Sequence, residues 1–184
     1  VIKITNKQIF YSSSSAFEVE LSKNGIFFSI APLKEKKQGV NYYNWKEKAI
    51  SKISLSELCN LVEGLKHFRE TEDTYTAFAQ FLFGEKYKNY QFCHKNPKRP
   101  ELLKMVGWNN SNGVLQFVIR TFKGKENLGT VFFSLQKMDM AKLQRFLDYL
   151  VEQAFNYDAF DDNDYNNEHS NDGFSDDDSS KFYD

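Results

Sequence analysis

Cysteine is almost missing from this chain: Cys59 and Cys93 are the only two in 184 residues. That excludes a disulfide framework and fits a reducing compartment, with both thiols read as small buried apolar groups. No window reaches the ~18 to 20 consecutive apolar residues of a membrane helix, and Val1 to Gln8 lacks the charged-then-apolar pattern of a secretory signal. The expectation is a soluble, intracellular, cytoplasmic protein. Catalytic signatures are missing too, with no glycine-rich phosphate loop, no nucleophile elbow and no helix carrying paired metal ligands. Acids sufficient for a two-metal nuclease lie mainly after Tyr157, where nothing would hold them at fixed distances. His67, His94, His169, Cys59 and Cys93 lack zinc spacing, and the adjacent Cys93 and His94 would point to opposite faces of a strand. Asp162-Asn163-Asp164 starts like a calcium loop, but Gly173 stands where the closing Glu is required. No enzyme activity, metal or cofactor is expected.

Net charge is also nearly missing, at −1, until the chain is divided after Tyr157. From Asp158 onward ten acids face the single base Lys181, a balance of −9, which leaves +8 on residues 1–157. A basic body joined to an acidic arm points to a polyanionic partner. The arm, rich in Asp, Asn, Ser and Gly, is too polar to repay the entropy of folding and is expected to be disordered. Two units follow, a folded domain over 1–157 and a tail over 158–184.

What the body has is aromatic and apolar patterning, with 16% aromatic and 41% hydrophobic residues overall, enough for one core. Ala16 to Leu21 alternates, and Gly25 turns the chain into the apolar run Ile26 to Pro32, which together read as a strand pair. Tyr42 to Ile53 reads as a strand with Lys46, Lys48, Ile50 and Lys52 on one face and Trp45, Ala49, Ser51 and Ile53 on the other. Ser54-Leu55-Ser56-Glu57 has capping-box spacing, and Leu55, Leu58, Cys59, Val62 and Leu65 continue as a helical stripe. Thr71 to Tyr90 fits helix and strand equally. Strands are expected over Tyr90 to Lys95, Leu102 to Trp108, Val114 to Lys123 and Thr130 to Leu135, with Asn109 to Gly113 as a hairpin connection. Leu143, Phe146, Leu147, Leu150, Val151 and Ala154 define a last amphipathic helix, Met138 to Phe155.

Several words in this order resemble the Whirly family of single-stranded DNA-binding proteins. Leu21-Ser22-Lys23-Asn24-Gly25, then Phe28 and Ile30-Ala31-Pro32, is similar to that family's strand-turn-strand ending in apolar-Ala-Pro. Gly39, Tyr43-Asn44-Trp45, Lys48 and Ile50 resemble its Gly, Tyr-Asp-Trp, Lys and apolar series, and Ser54, Glu57, Leu58 and Leu61 fall where its first helix begins. Phe92-Cys93-His94-Lys95-Asn96-Pro97 and Leu102-Leu103-Lys104 are similar to a second, weaker series. The resemblance spans Phe17 to Phe155, with trypanosome guide-RNA-binding proteins and positive-cofactor-type coactivators as more distant kin. It implies an α+β fold of two antiparallel four-stranded sheets packed across each other, each half running strands then helix, assembled as a tetramer that binds strands along its blade edges. The family's Lys-Gly-Lys-Ala-Ala-Leu word is missing, with Ile4-Thr5-Asn6-Lys7-Gln8-Ile9 in its region, which leaves the higher assemblies tied to that word open.

Single strands are held by cations along the phosphates and by flat rings on which bases stack. Three clusters offer both: Tyr42, Tyr43, Trp45, Lys46, Lys48 and Lys52; then Tyr90, Phe92, Lys95, Lys98, Arg99 and Lys104; then Trp108, Gln116, Arg120, Phe122, Lys123 and Lys125. Each ring also has a core reading, because one face of every strand packs inward. The tail tip Asp176-Asp177-Asp178, with Phe182 and Tyr183, resembles the partner-recruiting tips of bacterial single-strand binding proteins, against a plain solubilising role. The expected function is sequence-tolerant binding of single-stranded DNA in replication, recombination or repair, with the tail competing for the groove and recruiting proteins. A transcription regulator or polymerase-interacting protein, and an RNA binder, stay open beside it. The Lys, Asn and Phe bias points to an AT-rich genome, such as that of a low-GC bacterium or its phage.

Overall fold

Apolar alternation makes the strands, and tight turns decide which of them meet. The computed structural model describes residues 6–71 and 90–156. Its first sheet contains β1 (Lys7–Tyr11), β2 (Ser15–Ser22), β3 (Gly25–Lys37), β4 (Val40–Tyr43) and β5 (Ala49–Ile53), all paired antiparallel. β3 takes two partners in succession on the side away from β2. Ile26 to Ile30 pair with β5, and Leu33 to Lys37 pair with β4. The sheet is thus four ranks wide, its last rank split between two strands. The second sheet is a meander of β6 (Tyr90–Asn96), β7 (Arg99–Ser111), β8 (Val114–Lys123) and β9 (Glu126–Ser134).

Two hairpins turn on residues that tolerate positive φ. Gln38 and Gly39 (φ 49° and 81°) join β3 to β4, and Asn112 and Gly113 (52° and 81°) join β7 to β8. Asn109 to Ser111, expected in the connection, extend β7 instead, because two residues suffice to reverse the chain.

α1 (Leu55–Thr71) starts in the expected capping box: Ser54 N–H donates to Glu57 Oε2 at 2.9 Å, and Glu57 N–H to Ser54 Oγ at 3.2 Å. Leu58, Leu61, Val62, Leu65 and Phe68 form its buried stripe. α2 (Lys137–Asn156) buries Met140, Leu143, Leu147, Leu150 and Ala154 and packs against α1. Between the sheets Phe17 lies with ring centroids 5.0 Å from Phe117 and 5.5 Å from Phe133, and Phe28 lies 5.1 Å from Phe117. Each such pair adds about 0.5–1.5 kcal/mol beyond its buried area. Strands then helix, twice over, is the α+β plan expected from the sequence.

Three expectations are corrected. Tyr42 to Ile53 is not one strand, because a 3-10 turn over Trp45–Glu47 separates β4 from β5 and resets the alternation. Trp45 and Lys48, assigned to opposite faces, meet as a result, with Lys48 Nζ 5.8 Å from the Trp45 ring centroid. Neither cysteine is a core group, since Cys93 is exposed and Cys59 half-buried. The ambiguous Thr71 to Tyr90 stretch falls almost wholly outside the described residues, as does the tail from Tyr157.

Candidate nucleic-acid interface

Pleat alternation assigns the faces. Phe17, Val19, Ile26, Phe28, Ile30 and Ile53 face the core of the first sheet. Lys7, Tyr11, Ala16, Glu18, Ser29, Ala31, Ile50 and Lys52 therefore take the outer face. At the centre of its floor Ala16 lies opposite Ala31 and Glu18 opposite Ser29, all four enclosed, with Ile9, Phe27 and Ile50 beside them on the same face. Tyr11, 58% exposed, lies 5.6 Å from Tyr43 between ring centroids, and Tyr43 Oη donates to the Ser12 carbonyl at 2.6 Å.

Glu18 is sunk into this floor at 3% exposure, yet two lysines reach it: Lys7 Nζ at 2.7 Å and Lys48 Nζ at 3.0 Å. Burial alone would raise its carboxyl, but the hydrogen bonds and charges of Lys7 and Lys48 outweigh that and hold it below the ordinary value. The same bond to Glu18 raises the Lys7 amine.

Beyond the floor the β3–β4 hairpin carries exposed Lys34, Lys36 and Lys37, with Lys37 3.0 Å from Glu35. Val40 and Tyr42 on the same hairpin are 54% and 48% exposed. Lys46 and Lys52 are exposed, while Trp45 is half-buried.

At the seam between the sheets, Ser51 Oγ and His94 Nδ1 are 2.8 Å apart, and His94 Nε2 is 2.7 Å from Glu57 Oε1. The order Ser, His, Glu is that of a hydrolytic triad. Ser51, however, is 4% exposed on the core side of β5, and Glu57 is also engaged by the capping box. The chain therefore works as a clasp tying β5 to β6 and to α1. Burial would raise Glu57, but His94 and then Ser54 hold it below its usual value. Lys104 adds a second tie, donating to the Ile50 carbonyl at 2.9 Å, and desolvation lowers its amine.

The second sheet divides its candidates between two faces. Trp108 is fully enclosed, and its Nε1 donates to the Leu61 carbonyl at 2.8 Å, so it is a core residue and offers no face to a base. Phe92 packs against that core, and Tyr90 heads β6 opposite Trp108. Phe122, 9% exposed, is likewise enclosed. Arg120 lies on the sheet's outer face in a row with Cys93, Met105 and Thr130. Gln116 lies on that face too, donating to Ser134 Oγ and accepting from Asn109. The remaining cations gather at one end: Lys95, Lys98, Arg99, Lys123 and Lys125 are exposed where β6 turns into β7 and β8 into β9, with Arg99 3.3 Å from Glu101.

The three clusters therefore do not share one face. Of the first, Tyr43, Trp45, Lys48 and Lys52 gather on the outer side of the first sheet, while Tyr42 alternates with Tyr43 on β4 and Lys46 is exposed in the 3-10 turn. The lysine end of the second sheet approaches this side through the Lys104 tie to β5. Arg120 and Gln116 stand apart. Sequence reading missed Lys7, Tyr11, Glu18 and the hairpin lysines, although Gln38-Gly39 between a lysine-rich run and Tyr42-Tyr43 was a usable hairpin signal. Asp176 to Asp178, Phe182 and Tyr183 lie outside the described residues.

No family model matches the chain, and no curated protein does. Among solved structures it is similar to WHY1 from Arabidopsis thaliana, at 13% identity and TM-score 0.54, covering 82% of this chain and 91% of that one. It is also similar to the plant transcriptional regulator PBF-2, at 14% identity and TM-score 0.55, covering 94% and 92%. These likenesses establish the Whirly fold expected from the sequence.

Proposed function

We propose that this Whirly-fold chain binds single-stranded nucleic acid, DNA in the first place, without catalysis and with little sequence preference, inside the cell. The observation that supports it is the outer face of the first sheet, where Tyr11, Tyr43 and Trp45 stand among Lys7, Lys48 and Lys52, with Lys46 exposed on the adjoining 3-10 turn. Rings there offer stacking platforms worth ~1–3 kcal/mol per base, and the lysines follow the phosphates. The strand continues past β5 to the lysine end of the second sheet, where Lys95, Lys123 and Lys125 extend the path. Arg120 and Gln116 contribute less, being on the far face.

The test compares single- and double-stranded probes of equal length at two salt concentrations. Single strands should bind more tightly, with a steep salt slope. Neutralising Lys46, Lys48 and Lys52 together should reduce that slope by about 2, at ~0.7 per phosphate contact, while Arg120→Gln changes little. Equal affinity for duplex, or a flat slope, would sink the reading.

PBF-2, a plant transcriptional regulator by its description, supports a second reading in which the chain regulates transcription or contacts polymerase and its nucleic-acid affinity is secondary. A polymerase complex that survives loss of the lysines would favour it. RNA binding is judged with the same probes made as RNA, since stacking does not distinguish the sugars. In both readings the acidic tail recruits partners, and the chain works as a homo-oligomer.

A further inference from the structure

We infer that Glu18 is a positioning residue for binding: it holds Lys7 and Lys48 as a fixed pair of cations that receives one backbone phosphate of the bound strand. The inference rests on the proposed single-strand reading and names a part of it. A carboxylate in the middle of a face meant for phosphates is at first sight an error, since it repels the ligand. Its geometry argues otherwise. Glu18 is enclosed, so its charge is presented to solvent only through the two ammonium groups that cover its two oxygens. Lys7 comes from β1 and Lys48 from the residue before β5, so without the carboxylate between them two flexible side chains from separate strands would have no common anchor.

Each ammonium has three donors and gives one to Glu18, which leaves donors over on side chains that are 45% and 26% exposed. The trio carries +1 in total. Glu20, beside Lys7, opposes it. Tyr11 and Tyr43 at one end of the floor and Trp45 against Lys48 place stacking surfaces next to the pair. Anchored in this way, the cations lose little rotamer freedom when a phosphate arrives, and less of the interaction is spent on ordering them.

The experiment measures binding of a labelled oligothymidine to the full chain by fluorescence anisotropy at low and moderate salt. Removing a negative charge from a phosphate-binding face should tighten binding if only net charge counts. Positioning predicts the reverse: Glu18→Gln weakens binding about 5- to 10-fold, and Glu18→Asp recovers part of it. In a Lys7→Met/Lys48→Met background, Glu18→Gln should have no further effect, because the groups it positions are gone. A merely structural role would weaken binding equally in both backgrounds. Should Glu18→Gln alone not fold, the Lys7→Met/Lys48→Met double variant must lower the salt slope by about 0.7, the share of one phosphate. Wild-type protein that fails to bind the probe overturns the functional reading itself. Wild-type binding with Glu18→Gln equal or tighter, or with lysine variants that keep the full slope, overturns this inference alone.

Discussion

Glu18 and Glu57 are enclosed carboxylates whose pKa values lie below the ordinary 4.5, despite burial that pushes them up. A depressed carboxylate contributes stability that is present above its unfolded pKa and lost as pH falls through its folded value. The thermal midpoint should therefore fall as pH is lowered from about 5 toward 3, and Glu57→Gln should flatten that fall while removing about 1–3 kcal/mol at neutral pH, where its partner His94 is left unmatched. A pH–stability curve of the variant as steep as wild type would disprove the assignment. Trp108 gives a second contrast at this scale. Trp108→Ala should lose about 3–5 kcal/mol in urea unfolding, as for other enclosed aromatics, yet leave the salt slope of binding intact in the fraction that folds.

Among the elements, the β3–β4 hairpin carries the clearest functional expectation. Replacing Lys34, Lys36 and Lys37 by Gln should lower single-strand affinity at low salt with no change in unfolding free energy beyond about 0.5 kcal/mol, because these side chains are exposed. Ser54→Ala, by contrast, should cost ~1 kcal/mol of stability through the capping box of α1 and leave binding alone. Helices were the most legible elements, since Leu58, Leu61, Val62 and Leu65 announce their face by spacing alone. β2 and the start of β3 were legible for the same reason. β1 was not, because Lys7 to Tyr11 has one buried apolar residue, Phe10, and its place depends on pairing with β2. The site was read least well. A local pattern cannot reveal a 3-10 turn that swaps the face of Trp45, or a carboxylate that reaches lysines from positions 7 and 48. Trp108 was ambiguous from sequence because a ring on a strand suits a core or a base equally, and only the Leu61 carbonyl decides between them.

For the whole molecule, the charge divides into −9 after Tyr157 and +8 before it, and a tethered acidic segment that competes for the lysine-bearing face would do so at high effective concentration. Truncation after Tyr157 should raise affinity for single strands, most visibly at low salt where attraction is least screened. Level or reduced affinity in the truncated protein would end the competition idea and leave the tail as a solubiliser or recruiter. Sedimentation of the full chain tests the proposed homo-oligomer.

β3 has one further consequence, because the same strand seats Phe28 and Ile30 in the interior and then, past a bulge between Leu33 and Glu35, runs out into the hairpin. Whatever grips the projecting half is mechanically coupled to the enclosed half. A bound polymer would thus be registered deep inside as stiffness, with slower amide exchange at Ile26 to Ile30, far from any atom it touches.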